Sequence, residues 1–262
     1  MSDASGCANC GLAAGHAGQR FCPACGQGTP AQRIDWPFML REFEHGVLQM
    51  DRGLLYSMRE LMARPGRLMR DYLEGRRARQ VKPFLLLMVT AAAVVFLGRF
   101  LLGGDLMGSA MQAGFEVGGG GQAGARPFFE VLASVEGWIN SNFTVLTLLL
   151  LPLEAAALRI AFAGRGLNYP EWLVVSAFLT AQTFVVVMLA IVLQRWMPQA
   201  QAWSALVALL YNLVSLVQLF PVHRRWTSAL RGVAGLSLFV LVQGMIALAI
   251  TAVLYVRSAQ GG

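Results

Sequence analysis

Five apolar stretches constrain the fold of this 262-residue chain more than any other feature. Each can cross the hydrocarbon core of a bilayer, which is about 30 Å thick and takes roughly 20 helical residues. The backbone finds no water in that core, so each crossing has to be a helix. The spans are predicted at 84–102, 143–162, 173–193, 202–220 and 233–256. The sequence therefore predicts an all-α polytopic membrane protein, with a five-helix transmembrane bundle in residues 84–262.

The charged residues predict how the bundle is oriented. Only 13% of residues are charged, whereas soluble domains average about 25%. Seventeen of the 21 basic residues precede the first span or lie where an N-inside topology places the cytoplasm, and basic residues concentrate on that side of a membrane. The N-terminus, which lacks a signal-peptide pattern, is predicted to be cytoplasmic and the C-terminus extracytoplasmic. The bias of Arg over Lys is typical of a GC-rich bacterial genome, so we expect a bacterial inner-membrane protein.

The net charge of +7 raises the question of nucleic acid as a partner. The basic residues crowd beside apolar spans, so an anionic membrane surface is the predicted partner and nucleic acid is not. Four of them, Arg76, Arg77, Arg79 and Lys82, immediately precede the first span. They are candidates for contact with anionic lipids of the inner leaflet, although ordinary topogenic charge explains the same cluster. The oligomeric state is not indicated.

All four cysteines lie in residues 1–30, as two Cys-x2-Cys pairs: Cys7 with Cys10, and Cys22 with Cys25. A two-residue spacing lets one tight turn aim both sulfurs at a single ion. In a reducing compartment such a cluster favours a metal site, and we predict structural Zn2+ held by four thiolates in a zinc-ribbon-like module. A disulfide or an unmetallated remnant is the alternative. With all four positions filled, no open position is left for a catalytic water.

Residues 31–83 are predicted to form amphipathic helices on the cytoplasmic side. Asp35 can cap a helix whose apolar face runs from Trp36 to Val47, and Pro65 can open another whose apolar face includes Leu68 and Tyr72. Arg67 with Asp71 and Arg70 with Glu74 are spaced to form i,i+4 ion pairs. These helices suit either a membrane surface or a small soluble core.

A series of short motifs resembles the bacterial domain-of-unknown-function family 3667. They are Phe21-Cys-Pro-Ala-Cys-Gly-Gln27, Arg33-Ile-Asp-Trp36, Asp51-Arg-Gly-Leu-Leu-Tyr56, Arg64-Pro-Gly66, Tyr72-Leu-Glu-Gly-Arg-Arg77 and Lys82-Pro-Phe84. The resemblance is dense over residues 7–86 and implies an integral membrane protein with a zinc-ribbon-like head, without implying an activity. Tyr169-Pro-Glu171 resembles a point where many members continue with several histidines, and residues 169–193 contain none here.

Glu154 is the intramembrane candidate for a functional residue. It lies two residues after Pro152 in the second span, where a charge costs on the order of 3 kcal/mol. It could instead be protonated or pair with Arg159 near the inner surface. Other polar residues of the spans are predicted to bond between helices, and Trp172, Trp196, Trp203 and Trp226 to anchor span ends at the interface. The outer loop, residues 103–142, is predicted to carry a short helix from Pro127 to Trp138.

No catalytic set is recognised, so a non-enzymatic role is favoured, and a membrane enzyme that uses the outer loop and Glu154 is left as a third alternative. The first hypothesis is an adaptor or sensor whose zinc head docks a cytoplasmic protein partner at the membrane surface. The alternative is a lipid handler or small transporter that uses Glu154 and the basic cluster. A cavity shared by Glu154 and the amides of the third and fourth spans would favour this alternative, whereas a dry, packed bundle would favour the adaptor.

Overall fold

The computed structural model describes residues 6–13, 20–29, 31–40, 53–103, 138, 142–197 and 199–260. Within them, a helical turn at 36–40 is followed by longer helices. In chain order these are α1 (Leu54–Ala63), α2 (Pro65–Leu73), α3 (Pro83–Leu101), α4 (Phe143–Ala161), α5 (Tyr169–Leu193), α6 (Ala200–Leu219) and α7 (Arg225–Gln260). The last five are long and apolar enough to cross a membrane, so the predicted all-helical, multi-pass fold is confirmed.

Two of the spanning helices begin four or more residues before the apolar runs predicted for them. The first turn of α5 is polar, and Asn168 caps it while Glu171 closes a reciprocal capping box. The start of α7 at Arg225 includes basic residues that a hydropathy pattern leaves out. Residues 127–137 of the predicted outer helix and residues 41–47 of the predicted first amphipathic helix lie outside the described residues.

Helix α5 is the centre of the bundle. It packs against α3, α4 and α6, and α7 closes the arrangement by packing against both α4 and α6. Helices α4, α5, α6 and α7 therefore form a ring of neighbours, with α3 lying outside it against α5. Because α5 is surrounded on several sides, 72% of its most apolar 18-residue stretch is buried.

One end of the bundle collects the start of α3, the end of α4, the start of α5, the end of α6 and the start of α7. Arginines there bind backbone carbonyls at helix ends, where the helix dipole is negative. Arg70 donates to the carbonyl of Gln218 at 3.0 Å, and Arg231 donates to the carbonyl of Ala163 at 2.8 Å. The arginines near this end thus have local structural roles besides the topogenic one predicted for them. The pairing predicted for Arg70 with Glu74 is wrong, since Glu74 accepts from Arg76 instead.

Helices α1 and α2 lie across this same end. Leu61, Leu68, Met69 and Tyr72 are at most 1% exposed, and they share one core cluster with Trp172 of α5. The apolar faces predicted for a membrane surface or a separate soluble core are instead buried against the spanning helices. Leu55 and Tyr56 on α1 remain exposed.

Helix α2 begins with Pro65 and Gly66, and each residue has its own structural reason. Pro65 occupies the first turn, where its missing N–H costs no helical bond. A Cβ on Gly66 would lie only 2.3 Å from Cβ of Gln218, so no larger residue fits between α2 and α6 without movement. The hydroxyl of Tyr211 on α6 donates to the carbonyl of Met62. The link between α1 and α2 is therefore fixed directly onto α6.

Trp172 is a correction to the sequence prediction. It lies at a span end, but it is 1% exposed and packs against the rings of Phe162 and Phe220, at centroid distances of 5.3 and 6.1 Å. It is a core residue and not a lipid anchor. Trp196, Trp203 and Trp226 are exposed, as anchors would be.

Candidate metal centre and intramembrane cavity

Two nearly identical turns carry the cysteines. The amide of Gly11 donates to the carbonyl of Cys7 at 2.8 Å, and the amide of Gly26 donates to that of Cys22 at 2.9 Å. Both glycines have positive φ, 75° and 71°, a conformation that side chains with a Cβ rarely adopt. Each turn therefore requires its glycine, as the sequence pattern indicated.

The turns bring all four sulfur atoms together. Sγ of Cys7 lies 3.6 Å from that of Cys25, Sγ of Cys10 lies 3.5 Å from that of Cys22, and all four lie within 4.8 Å of one another. These distances are far longer than a disulfide bond and the four cysteines are free, so the predicted disulfide alternative is not what the structure shows. Four sulfurs at about 2.3 Å from a tetrahedral ion would be about 3.8 Å apart. The cluster can therefore hold one metal ion.

The cysteine module is attached to the membrane bundle at two places. The first is at the turn after α2, where the amide of Arg77 donates to Oε1 of Gln27 at 3.1 Å and its guanidinium donates to the carbonyl of Gln32. Gly75, with φ of 88°, lies so close to Ala31 that a Cβ there would be 2.8 Å from the alanine Cβ. The turn at residues 72–77 is therefore one surface to which the cysteine module is bound.

The second attachment is an ion pair between Arg33 and Glu171. Nε and Nη2 of Arg33 donate to the two carboxylate oxygens at 2.7 and 3.0 Å, and Nη2 also donates to the carbonyl of Gly166. These hydrogen bonds to Glu171 raise the pKa of Arg33 above its ordinary value. Nδ2 of Asn168 adds a bond to the carbonyl of Ile34 at 2.8 Å. The segment after the module is thus held on the loop between α4 and α5.

The four residues of the basic cluster have different surroundings. Arg76 pairs with Asp71 and Glu74, and its hydrogen bond to Asp71 raises its pKa. Arg77 stacks over the rings of Phe38 and Tyr72, at 4.5 and 4.9 Å from their centroids. Arg79 is exposed, and Lys82 is partly buried at the start of α3. Two members therefore hold the fold together, and Arg79 is the most exposed of the four.

Glu154 is buried in α4, with 6% of the residue exposed. Oε2 accepts a hydrogen bond of 2.9 Å from the hydroxyl of Thr180 on α5. Arg159 does not pair with it; its guanidinium lies 5.9 Å from the ring centroid of Tyr169. Within the described chain, the Glu154 carboxyl therefore has no cationic partner.

Glu154 lines a cavity of about 460 Å3 inside the ring of α4, α5, α6 and α7. The walls are mainly apolar, and the polar side chains that reach it are Thr147, Glu154, Thr180, Thr183, Asn212 and Gln243. Ala205 and Val240 of the wall are exposed, so the cavity is not sealed. From Glu154 the lining follows α4 back to Phe143, away from the end that carries the cysteine module. No member of the basic cluster lines it.

A second cavity of about 530 Å3 lies between the other face of α5 and α6, beside Met62. Its polar lining residues are Ser204 and Tyr211, and no lining residue is charged. The first cavity therefore has more polar groups than the second, and a buried carboxyl that the second lacks.

The interhelical amides predicted from the sequence divide into two groups. Asn212 faces the Glu154 cavity and donates to the hydroxyl of Thr183 at 3.0 Å. Gln182 lies elsewhere and accepts from the hydroxyl of Ser215 at 3.0 Å. Thr180 and Thr183 were not predicted, although their i,i+3 spacing on one helical face was a usable signal. The pairing of Arg33 with Glu171 also went unpredicted, because 138 residues separate the partners.

Comparison with curated proteins and with solved structures finds no significant match to this chain. Residues 51–95, which form α1, α2 and the first part of α3, match the family described as "Protein of unknown function (DUF3667)". This segment fixes the cysteine module to a bundle of five candidate membrane spans. The resemblance that the motifs indicated is confirmed over it: the segment is similar to the DUF3667 family.

Proposed function

We propose that this multi-pass membrane protein binds a small amphiphilic molecule in the Glu154 cavity, as a lipid handler or small transporter. The observation that carries the proposal is the cavity itself. It has the size of ordinary ligand sites, about 300–1,000 Å3, and combines apolar walls with a few convergent polar groups. A buried carboxyl is costly inside a membrane, and a residue kept there at such a cost is a functional candidate. The adaptor hypothesis expected a bundle without such a cavity.

Binding is tested with the protein in lipid nanodiscs and the neutral fluorescent amphiphile N-phenyl-1-naphthylamine. We expect saturable binding above that of empty nanodiscs. Ala205→Phe, which fills the Glu154 cavity, should weaken it by about tenfold or more, because the added ring occupies the ligand volume. Val207→Phe, which fills the second cavity, is the matched control and should have little effect. Absence of saturable binding, or sensitivity to Val207→Phe alone, would contradict the proposal.

Transport is tested separately in reconstituted vesicles that contain a fluorescent lipid analogue. The expected result is faster movement of the analogue between leaflets than in protein-free vesicles, and a loss of this effect in Glu154→Gln. Glu60→Gln makes the same chemical change on α1, away from the cavity, and should behave as the wild type. If Glu154→Gln moves lipid at the wild-type rate, Glu154 is not on the path.

For the cysteine module we propose structural Zn2+. Four thiolates without an open position favour this ion over the hard cations Mg2+ and Ca2+, and the binding energy would supply the folding energy of so small a module. Elemental analysis of the purified protein should give one zinc per chain.

We also propose the bacterial inner membrane as the location, with the module in the cytoplasm. The basic residues Arg159, Arg165, Arg224 and Arg225 lie toward the same end of the bundle as the module, and basic residues concentrate on the cytoplasmic side.

Docking of a cytoplasmic partner on the module is a second candidate function. The observation that favours it is the exposure of Leu12 and Phe21, 45% and 66%, which lie close in sequence to Cys10 and Cys22. Leu12→Ser with Phe21→Ser should then abolish capture of a specific partner while the zinc content stays at one per chain. An unchanged set of captured proteins would remove this candidate.

The proposed contact of Arg79 with anionic lipids is tested by comparing Arg79→Gln with the wild type on vesicles with and without phosphatidylglycerol.

A further inference from the structure

The charge of the Glu154 cavity limits which ligands it can accept. Glu154 is the one ionisable side chain among the described residues that line the cavity, and lysine, arginine and histidine are missing from that lining. The cavity therefore carries a charge of zero or −1, and never a positive one. An anionic ligand would meet either repulsion or a neutral apolar wall, and it would lose its hydration without a counter-charge.

The hydroxyl groups of the lining add to this preference because their hydrogens are already used. Thr147 donates to the carbonyl of Phe143 at 2.9 Å, and Thr183 donates to that of Leu179 at 3.0 Å. Thr180 donates to Glu154 itself. A hydroxyl group has one donor and two acceptor lone pairs, so these three present mainly acceptor oxygen to a ligand.

Aromatic rings provide the third observation. Phe143 and Phe184 both line the cavity, with ring centroids 5.4 Å apart, and Phe239 lines it from α7. The face of an aromatic ring carries partial negative charge and attracts an organic cation, more strongly where water is excluded. The rings also offer apolar contact to a hydrocarbon body.

We propose that the ligand of this cavity is a lipophilic organic cation, an ammonium group with an apolar body, whose charge pairs with Glu154. This inference rests on the proposed function, since it names the ligand class of the same cavity. The cation supplies the counter-charge that the protein does not, and its apolar body lies toward Phe143. The uncharged second cavity has no group that would prefer such a ligand.

The test uses three ligands of one shape: 4-phenylbutylammonium, the neutral 4-phenylbutanol and the anion 4-phenylbutyrate. Each is titrated calorimetrically into the full-length protein in nanodiscs of zwitterionic lipid, with empty nanodiscs subtracted. We expect the ammonium to bind about tenfold or more tightly than the alcohol, since hydrogen bonds to charged groups exceed neutral ones by about this factor. The butyrate should not bind measurably.

Glu154→Gln keeps the shape of the side chain and removes its charge. It should weaken ammonium binding to the level of the alcohol, while binding of the alcohol stays within about twofold. Glu154→Met also removes the charge at similar side-chain length; it provides a second variant if Glu154→Gln does not fold, and it should likewise lose the preference for the ammonium. Glu60→Gln again serves as the control.

The outcomes separate this inference from the proposed function. If the alcohol binds as tightly as the ammonium, or if Glu154→Gln keeps the preference, the cation inference is overturned while binding in the cavity stands. If none of the three ligands binds and N-phenyl-1-naphthylamine does not bind either, both proposals fail. A preference for the butyrate would overturn the cation inference outright.

Discussion

Replacing Gly66 by alanine tests whether α2 is fixed on α6 as the structure has it. The new Cβ would lie 2.3 Å from Cβ of Gln218, 2.6 Å from its carbonyl carbon and 2.8 Å from the amide nitrogen of Leu219. Ordinary carbon contacts are about 3.5–4.0 Å, so the helices must separate by more than about 1 Å. Two of these three atoms belong to the α6 backbone, so a side-chain rotation cannot relieve the contact.

The energy of this change is the difference between two opposing terms. Alanine favours a helix over glycine by up to about 1 kcal/mol. Overpacking of a well-packed contact costs about 1–3 kcal/mol, and the movement also strains the bond from Arg70 to the Gln218 carbonyl, worth about 1 kcal/mol more. We expect a net loss of about 1–3 kcal/mol, or a fall in unfolding temperature of several degrees for a domain of this size.

The measurement is thermal unfolding in detergent, followed by circular dichroism. Gly244→Ala is the matched control, because it places the same Cβ on helix α7 where no atom lies within 4 Å. It should leave stability unchanged or raise it by up to about 1 kcal/mol. If Gly66→Ala is as stable as Gly244→Ala, α2 does not lie on α6 in this way, and the account of the Arg64-Pro-Gly66 motif is refuted.

Three further predictions concern the metal, the module and the core. Cys25→Ser should lower the bound zinc well below one per chain and make residues 6–29 sensitive to protease, because the metal supplies most of their folding energy; an unchanged metal content would disprove the four-sulfur site. Arg33→Met should cost about 1–2 kcal/mol of stability, because it leaves its carboxylate partner on α5 buried without a counter-charge. This cost is smaller than for a fully buried ion pair, because the guanidinium is exposed. The control Arg20→Met, at an exposed position, should cost less than about 0.5 kcal/mol. Trp172→Ala should cost about 3–5 kcal/mol and Trp226→Ala less than about 1 kcal/mol, and equal losses in thermal unfolding would contradict the assignment of Trp172 to the core.

The features that the sequence predicted correctly are those encoded locally. The length and hydropathy of a span are properties of consecutive residues, and so is the turn that Cys7, Cys10 and Gly11 form around a metal site. The position of Trp172 at a span end was equally visible, but the sequence does not say which side of a helix faces protein and which faces lipid. The burial of Trp172 depends on Phe162 and Phe220, which come from two other parts of the chain.

The cavity was beyond sequence reasoning for a related reason. Glu154 could be identified alone, since a charge in an apolar run is conspicuous. That it meets Thr180, Asn212 and Gln243 around one space depends on the rotation of four helices about their axes. Helices that are apolar on nearly all sides give no periodic signal from which this rotation can be derived.

The segment that matches the family contributes to the fold through close contacts between backbones. In residues 51–95, Gly53 lies against the backbone of Arg79, Gly66 against α6, and Gly75 against Ala31, and these three contacts leave no room for a side chain. Their requirement follows from the close approach of backbones and not from chemistry at a ligand. Glu154, the buried carboxyl of the proposed ligand cavity, lies outside the matched segment, on α4. The matched segment therefore accounts for how the cysteine module is fixed to the bundle, and a ligand has to be inferred from the cavity itself.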